Sequence, residues 1–331
     1  MSGIGKVLHG GPIDSSEIAR IRGTLLFEQP GLQQRLVRFW ALLVLAAAIA
    51  TFGLIADSVA SVIGAMIVAP LMLPIMGLAF GISIGDRRAI LSSLLVALGG
   101  IATTVLVGYL LSLLFPALDP EGNTQIMSRT APRLVDLFAA LATGLAGAFA
   151  TGRRDVSDTL PGVAIAISLV PPLANVGILI AAGRPGLAAG SMLLFVTNYL
   201  AILLTGSLMF GLMGFPRFAR AGRSVRARRV AVAIVVVLTL VIVVPLAATS
   251  YTVTVDSLAE TRTADAARTW LAGSGYRFVS ATADKEVRLV VAGEGRLPSI
   301  STLEDAVRGR LFGMRVTLEA VPQQRTSFGT R

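Results

Sequence analysis

Residues 230–249 read VAVAIVVVLTLVIVVPLAAT, twenty consecutive positions without a charge. A helix of about 20 mostly apolar residues crosses the ~30 Å hydrocarbon core of a bilayer. Six further stretches meet the same test: 37–56, 60–84, 89–115, 134–151, 160–182 and 187–214. Composition agrees, since 54% of the 331 residues are hydrophobic and only 15% charged, where soluble chains carry about 25% charged residues. Mean hydropathy is +0.76. These features predict an all-α membrane domain of about seven transmembrane helices.

The charges divide the chain. Residues 250–331 hold eleven Lys or Arg and nine Asp or Glu, so a small polar domain follows the membrane part. The expected organisation is a cytoplasmic amphipathic segment over 1–36, a transmembrane domain over 37–249 and an extracytoplasmic α/β domain over 250–331. The first apolar run begins near Val37, behind a charged stretch, which speaks against a cleaved signal peptide of the usual form. Ile18, Ile21 and Leu25 stand at helical spacing behind Ser15 and Ser16, and predict a helix on the inner surface.

The net charge of +10 does not call for nucleic acid. Six arginines (217, 220, 223, 226, 228 and 229) crowd one loop between apolar spans, where the positive-inside rule accounts for them. The N-terminal segment and the connections GDRR, GRRD and PRFARAGRSVRARR are basic, while the first, third and fifth connections are not. Seven crossings, with the N-terminus inside and the C-terminal domain outside a prokaryotic cytoplasmic membrane, satisfy the rule at every turn. A rival arrangement makes the second and fifth segments re-entrant, but it places GDRR and GRRD outside. The chain has no cysteine and one histidine, His9, so thiolate chemistry and Cys/His metal sites are not expected, and neither is any cofactor.

Beyond Tyr251 the pattern becomes strand (251–255), helix (261–273), strand (276–282), strand (287–291), helix (starting near a Ser301/Glu304 capping box and stopped by Gly313) and strand (314–318). That order predicts a ferredoxin-like α+β sandwich.

Two spans carry paired prolines near their centres: Pro70 and Pro74 in the second, Pro171 and Pro172 in the fifth. Proline removes an amide donor and clashes with the preceding turn, so each span is expected to break near the midplane. Broken backbone is tolerated there only in protein or beside a wet cavity. The two halves share a layout (plain span, broken span, long plain span) at an offset of about 100 residues. Three crossings per unit turn the second unit upside down, as in the inverted repeats of secondary transporters.

The interior of the spans contains no Asp, Glu, Lys or Arg. Candidate substrate-binding positions are therefore Ser61, Pro70, Pro74, Ser168, Pro171, Pro172, Asn175, Thr197 and Asn198, with Tyr199 beside them. Proline at a helix start is expected to leave following amides free and aimed at the break, which suits an anionic or neutral polar solute better than a cation. Asp57, Asp136 and Asp158 lie near span ends, where they could couple an ion or cap a helix. Small-residue stripes (Ser61/Ala65/Ala69, Gly77/Gly81/Gly85 and Ala140/Gly144/Ala148/Gly152) point to helix packing or a homo-oligomer.

Three segments carry a resemblance: DSVASVIGAMIVAPLMLPIMGLAFG from Asp57, SRTAPRLVDLFAALATGLAGAFA from Ser128 and LPGVAIAISLVPPLANVGI from Leu160. Over roughly 50–215 the chain resembles the hydrophobic membrane family known as domain of unknown function 389. The resemblance implies a shared fold and membrane location, and no substrate. On its account Arg129, Pro132 and Asp136 join the candidates for ion coupling or gating, with an Arg129–Asp136 pair at the outer mouth as the plainer role.

A secondary transporter or permease is the leading expectation. A channel gated by the C-terminal domain and a membrane sensor or scaffold are the alternatives. An enzyme is not expected: SIGDRR approaches the GxGD of intramembrane aspartyl proteases, but no second midplane aspartate completes a dyad. The partners expected are the bilayer and a small solute or ion.

Overall fold

The structure is a computed structural model. It describes residues 15–28, 31–153, 155, 169–215 and 258–322 apart from 284, 285, 296 and 312, with isolated positions between 232 and 255. It divides into two units, 1–246 and 247–331.

The first unit is helical. Its elements are α1 (Ser15–Leu25), α2 (Leu32–Ile55), α3 (Val59–Val68), α4 (Met72–Ile84), α5 (Arg87–Ser112), α6 (Thr124–Met127), α7 (Leu134–Gly152), α8 (Val170–Ala181) and α9 (Pro185–Met213). Four of them, α2, α5, α7 and α9, are long and apolar enough to cross a membrane. α3 and α4 together make a fifth such stretch, bent by 47° at their junction. Among the described residues the expected span 160–182 is present only as α8, and the span 230–249 and the basic loop before it lie largely outside them.

Burial follows the 3.6-residue period. On α2, Phe39, Leu43, Ala46, Ala50 and Leu54 face the core, whereas Val44, Leu45, Ile49 and Phe52 are exposed. On α5, Leu91, Leu95, Leu98, Leu106 and Leu110 are likewise uncovered. Apolar faces of this extent are unusual on a soluble monomer and suit contact with lipid.

Contacts sort the connections into two ends of the bundle. At one end Asn123 donates to the carbonyl of Leu54 at 2.8 Å, Thr124 to Asp57 at 2.8 Å, and Arg184 pairs with Glu121 at 3.2 Å. At the other, α1 lies under α4, α5 and α7. Arg22 reaches Asp86 at 3.1 Å, Arg20 donates to the carbonyl of Thr151 at 3.2 Å, and Phe80, Phe210 and Phe215 meet edge-to-face. The helix expected over 15–28 is thus present, with Ile21 and Leu25 buried and Ile18 partly so. Arg35 closes its C-terminus by donating to the carbonyls of Gly23, Leu26 and Glu28 at 2.7–2.8 Å, filling acceptors that a helix end leaves open.

The small-residue stripes are helix contacts. Gly144 lies against Ile202 and Thr205, and Gly152 against Met213, which seats α7 on α9. Gly77 faces Ser93, and Gly81 faces Ala89 and Ile90, between α4 and α5. Gly108 and Gly177 bring the backbones of α5 and α8 into direct contact.

The second unit holds α10 (258–270), β1 (Tyr276–Ala283), β2 (Val287–Gly293), α11 (Ile300–Val307) and β3 (Val316–Pro322). β1 pairs antiparallel with β2, and β2 pairs parallel with β3 in the order β1-β2-β3. Val287, Leu289 and Val291 alternate inward onto Ala267, Trp270, Leu303 and Val307. The ferredoxin-like expectation needs the strand 251–255 between β2 and β3. Here β3 occupies that slot itself, and Val255 is helical, while 251–254 lie outside the described residues. The expected capping box does not form: Ser299 is the N-cap of α11, without a side-chain cap bond, and Ser301 lies inside the helix.

Candidate functional site

The second span breaks where its prolines predict. α3 ends at Val68, its C-cap Ala69 is extended at ψ 125°, and α4 starts at Met72, with Pro70 in the gap and Pro74 in its first turn. α8 begins at Val170 with Pro171 and Pro172 in its first turn. Ser168 and the rest of the expected span before Leu169 lie outside the described residues.

Both short helices, α4 and α8, pack against the same two long ones, α5 and α9. Their senses are opposite. Gly206 of α9 touches Met76 and Ala79, and Phe210 meets Phe80, so α4 runs alongside α9 in the same direction. Asn175 bonds Ser191 across the turn at 182–184, so α8 runs against α9.

These contacts also fix levels along α9. Eight residues back from Gly206, about 12 Å at 1.5 Å per residue, is Asn198. The same step back from Met76 and Ala79 arrives at the break, 68–71. From the Asn175–Ser191 bond, five residues take α8 back to its start at Val170 and take α9 forward to Val196. Both helix starts therefore lie level with Thr197, Asn198 and Tyr199, the polar cluster of α9. Asn198 is buried, Thr197 donates to its own helix at Leu193 (2.7 Å), and the buried Tyr199 hydroxyl has no hydrogen-bond partner among the described residues.

The prolines act differently from the sequence expectation. A helix start leaves its first four amides without intrahelical acceptors. In α8 two of those four positions are proline and have no N–H; in α4 Pro74 removes one, and the amide of Leu73 donates to Pro70 at 3.0 Å. Rather than freeing amides, the prolines reduce the donors stranded in a buried place. The dipole of each helix still turns its positive end toward the break.

Other candidates sit elsewhere. Ser61 is exposed near the start of α3, where its hydroxyl meets that of Ser58 at 3.1 Å. Asn175 is fully buried, but its Nδ2 donates to the carbonyl of Ile126 at 3.0 Å and to Ser191 at 2.8 Å. It holds the connection 113–133 rather than facing the break. Asp57, at φ 52°, accepts from the amide of Gln125 and the hydroxyl of Thr124, both at 2.8 Å. The expected Arg129–Asp136 pair does not form: Asp136 accepts from Arg133, at its backbone amide (3.0 Å) and side chain (3.4 Å), and caps α7. Pro132 lies in the extended approach to α7. Asp158 is outside the described residues. The tie made by Asn123 and the Asp86–Arg22 pair have no signature in the sequence, because each depends on partners more than sixty residues away.

The Gln125 amide and the Thr124 hydroxyl hold the Asp57 carboxyl below its ordinary range. A depressed folded-state value stabilises above the unfolded pKa, and the contribution is lost as pH falls through the folded one. The melting temperature of the wild type is therefore expected to fall more steeply in acid than that of Asp57→Asn. Parallel curves would show that this contact does not couple to folding.

Comparison with known proteins places this geometry. The model of a family described as "Domain of unknown function (DUF389)" matches residues 66–204. Over that segment, under half of its length, the chain is similar to this family. The match opens just before the break and closes past Tyr199, so the matched segment contains both helix starts and the polar cluster. Asp57, Ser61 and the C-terminal unit lie outside it. The chain is also 33% identical over 174 residues to Uncharacterized protein MJ0678 of Methanocaldococcus jannaschii, a match covering 52% of this chain and 53% of that protein. It thus spans about half the length of that relative. No solved structure matches.

Proposed function

We propose that the chain is a multi-pass carrier that moves a small anionic or neutral polar solute across a prokaryotic cytoplasmic membrane. The observation that carries this reading is that two oppositely directed short helices, α4 and α8, both packed on α5 and α9, begin level with Thr197, Asn198 and Tyr199 of α9. Inverted repeats with discontinuous helices at the midplane are the architecture of many secondary transporters, whose sites lie where such helices begin. The positive helix ends and the neutral polar cluster suit an anion or a polar solute.

Seven crossings fit this reading, with 160–169 completing the fifth and 230–249 supplying the last. The end bearing α1, Arg87, Arg88 and Arg153 faces the cytoplasm by the positive-inside rule, and the C-terminal unit lies outside. Lipid covers the leucine faces of α2 and α5, and further copies of the chain are the natural protein partner.

The test is uptake of a panel of small carboxylates and polyols into proteoliposomes containing the full chain. At least one solute is expected to enter with saturation, at a rate that Asn198→Leu lowers at least tenfold in protein that still folds. Flux linear in solute concentration supports a channel instead. Uptake indifferent to Asn198→Leu removes the site from the midplane.

A further inference from the structure

Arg129 is the cation that the fold leaves least compensated among the described residues of its end of the bundle. It lies in the connection 113–133, part-buried, directly after the short helix α6 and Ser128. Its Nη1 donates to the carbonyl of Gln125, to Gln125 Oε1 at 3.2 Å and to Ser128 Oγ at 3.2 Å. All three acceptors are neutral. Among the described residues no carboxylate pairs with it, although that end of the bundle holds four: Asp57 is engaged by Thr124 and Gln125, Glu121 by Arg184 and Asp136 by Arg133, and Asp119 accepts from the amide of Glu121. Burial pushes the guanidinium below its ordinary pKa, the expected response of a charge that gives up water without gaining a counter-charge.

The geometry leaves one edge spare. Nη1 is committed to protein, Nε is buried without a partner, and no bond from the described residues engages Nη2. Nε and Nη2 form one side of the guanidinium fork, the side that takes two coplanar oxygens in parallel hydrogen bonds. The backbone around it is tied down, since the carbonyl of Arg129 accepts from Ser191 at 2.9 Å and Ser191 accepts from Asn175.

We infer that the Nε/Nη2 edge of Arg129 is a binding site for the carboxylate of a small monoanionic solute. The fork selects a planar pair of oxygens over chloride. The single positive charge balances one negative charge, whereas a phosphate dianion would leave a second one unpaired in a part-buried place. This rests on the carrier reading and deepens it, by naming the solute class and placing its first contact at the Glu121–Arg184 end of the bundle.

The experiment is a thermal-stability titration of the full chain in detergent with sodium acetate, against sodium chloride and sodium phosphate at matched ionic strength. Acetate is expected to raise the melting temperature with saturation, beyond the effect of either other salt. Arg129→Lys keeps the charge but not the fork, and is expected to raise the half-saturating concentration at least tenfold. Gln125→Glu sets an internal carboxylate against Nη1 and is expected to do the same, so the test survives if the lysine variant does not fold. An acetate response that is absent, no larger than that of chloride, or unchanged in both variants overturns the site. Saturable acetate binding without any transport would sink the carrier reading and leave this site standing. Transport of other solutes with no acetate response would do the reverse.

Discussion

Gly177→Ala is expected to destabilise the helical unit by ~3 kcal/mol or more, at the upper end of the range for overpacking a filled interior. At Gly177 an added Cβ would overlap the carbonyl of Val105 and the amide of Tyr109, so the obstacle is backbone, which cannot rotate aside. Gly108 shows the same crossing from the other side, against Ala174. Net native stability is only ~5–15 kcal/mol, so this one methyl group removes a large share of it. It also pries α8 from α5 and shifts the start of α8 along α9, so solute binding should weaken alongside stability. Gly211→Ala is the control, because nothing lies within 4 Å of a Cβ there. Denaturant titration in detergent should separate the two variants clearly; equal midpoints would mean that α5 and α8 do not cross in contact.

Asp86→Ala should have the next largest effect, ~3 kcal/mol, from two losses at once. Asp86 caps α5 through the amides of Arg88 and Ala89, at 3.1 and 3.5 Å, and losing such a cap costs ~1 kcal/mol. Its nearly inaccessible carboxylate also receives Arg22 at 3.1 Å. Breaking a buried pair costs ~3–5 kcal/mol, a figure to be discounted here because Arg22 is partly exposed and retains Glu28 at 2.7 Å. Asp86→Asn keeps the cap and should recover about a third of the loss. In a double-mutant cycle with Arg22→Gln, a coupling of ~1 kcal/mol or more is expected. Strict additivity would show that α1 is not fastened to the turn before α5.

How far the sequence reaches can be seen at particular residues. Hydropathy and proline position locate α2, α5, α7, α9 and the break at Pro70, because long apolar runs and missing amides act locally. The β2 strand is equally plain, as Val287, Leu289 and Val291 alternate. Features that are not legible depend on distant partners. Asn175 reads as a site residue because an amide side chain inside an apolar span is costly unless something bonds it, yet that bonding comes from Ile126 and Ser191 within the fold. Arg129 and Asp136 stand seven residues apart and read as a pair; the nearer Arg133 takes the carboxylate and leaves Arg129 without it. The slot beside β2 goes to β3 because strand order is set by tertiary pairing, on which strand propensity is silent.

The central claim, that α4 and α8 enter from opposite faces and begin at a common level, is tested most directly by sidedness. The chain has no cysteine, so single Arg87→Cys, Arg153→Cys, Glu121→Cys and Arg184→Cys variants can be labelled in intact cells with a membrane-impermeant thiol reagent. Reaction from outside at 121 and 184, with 87 and 153 reacting only after permeabilisation, is the predicted result. Outside labelling of all four, or of none before permeabilisation, would contradict it, whereas labelling of 87 and 153 alone would reverse the orientation and leave the opposed entry standing.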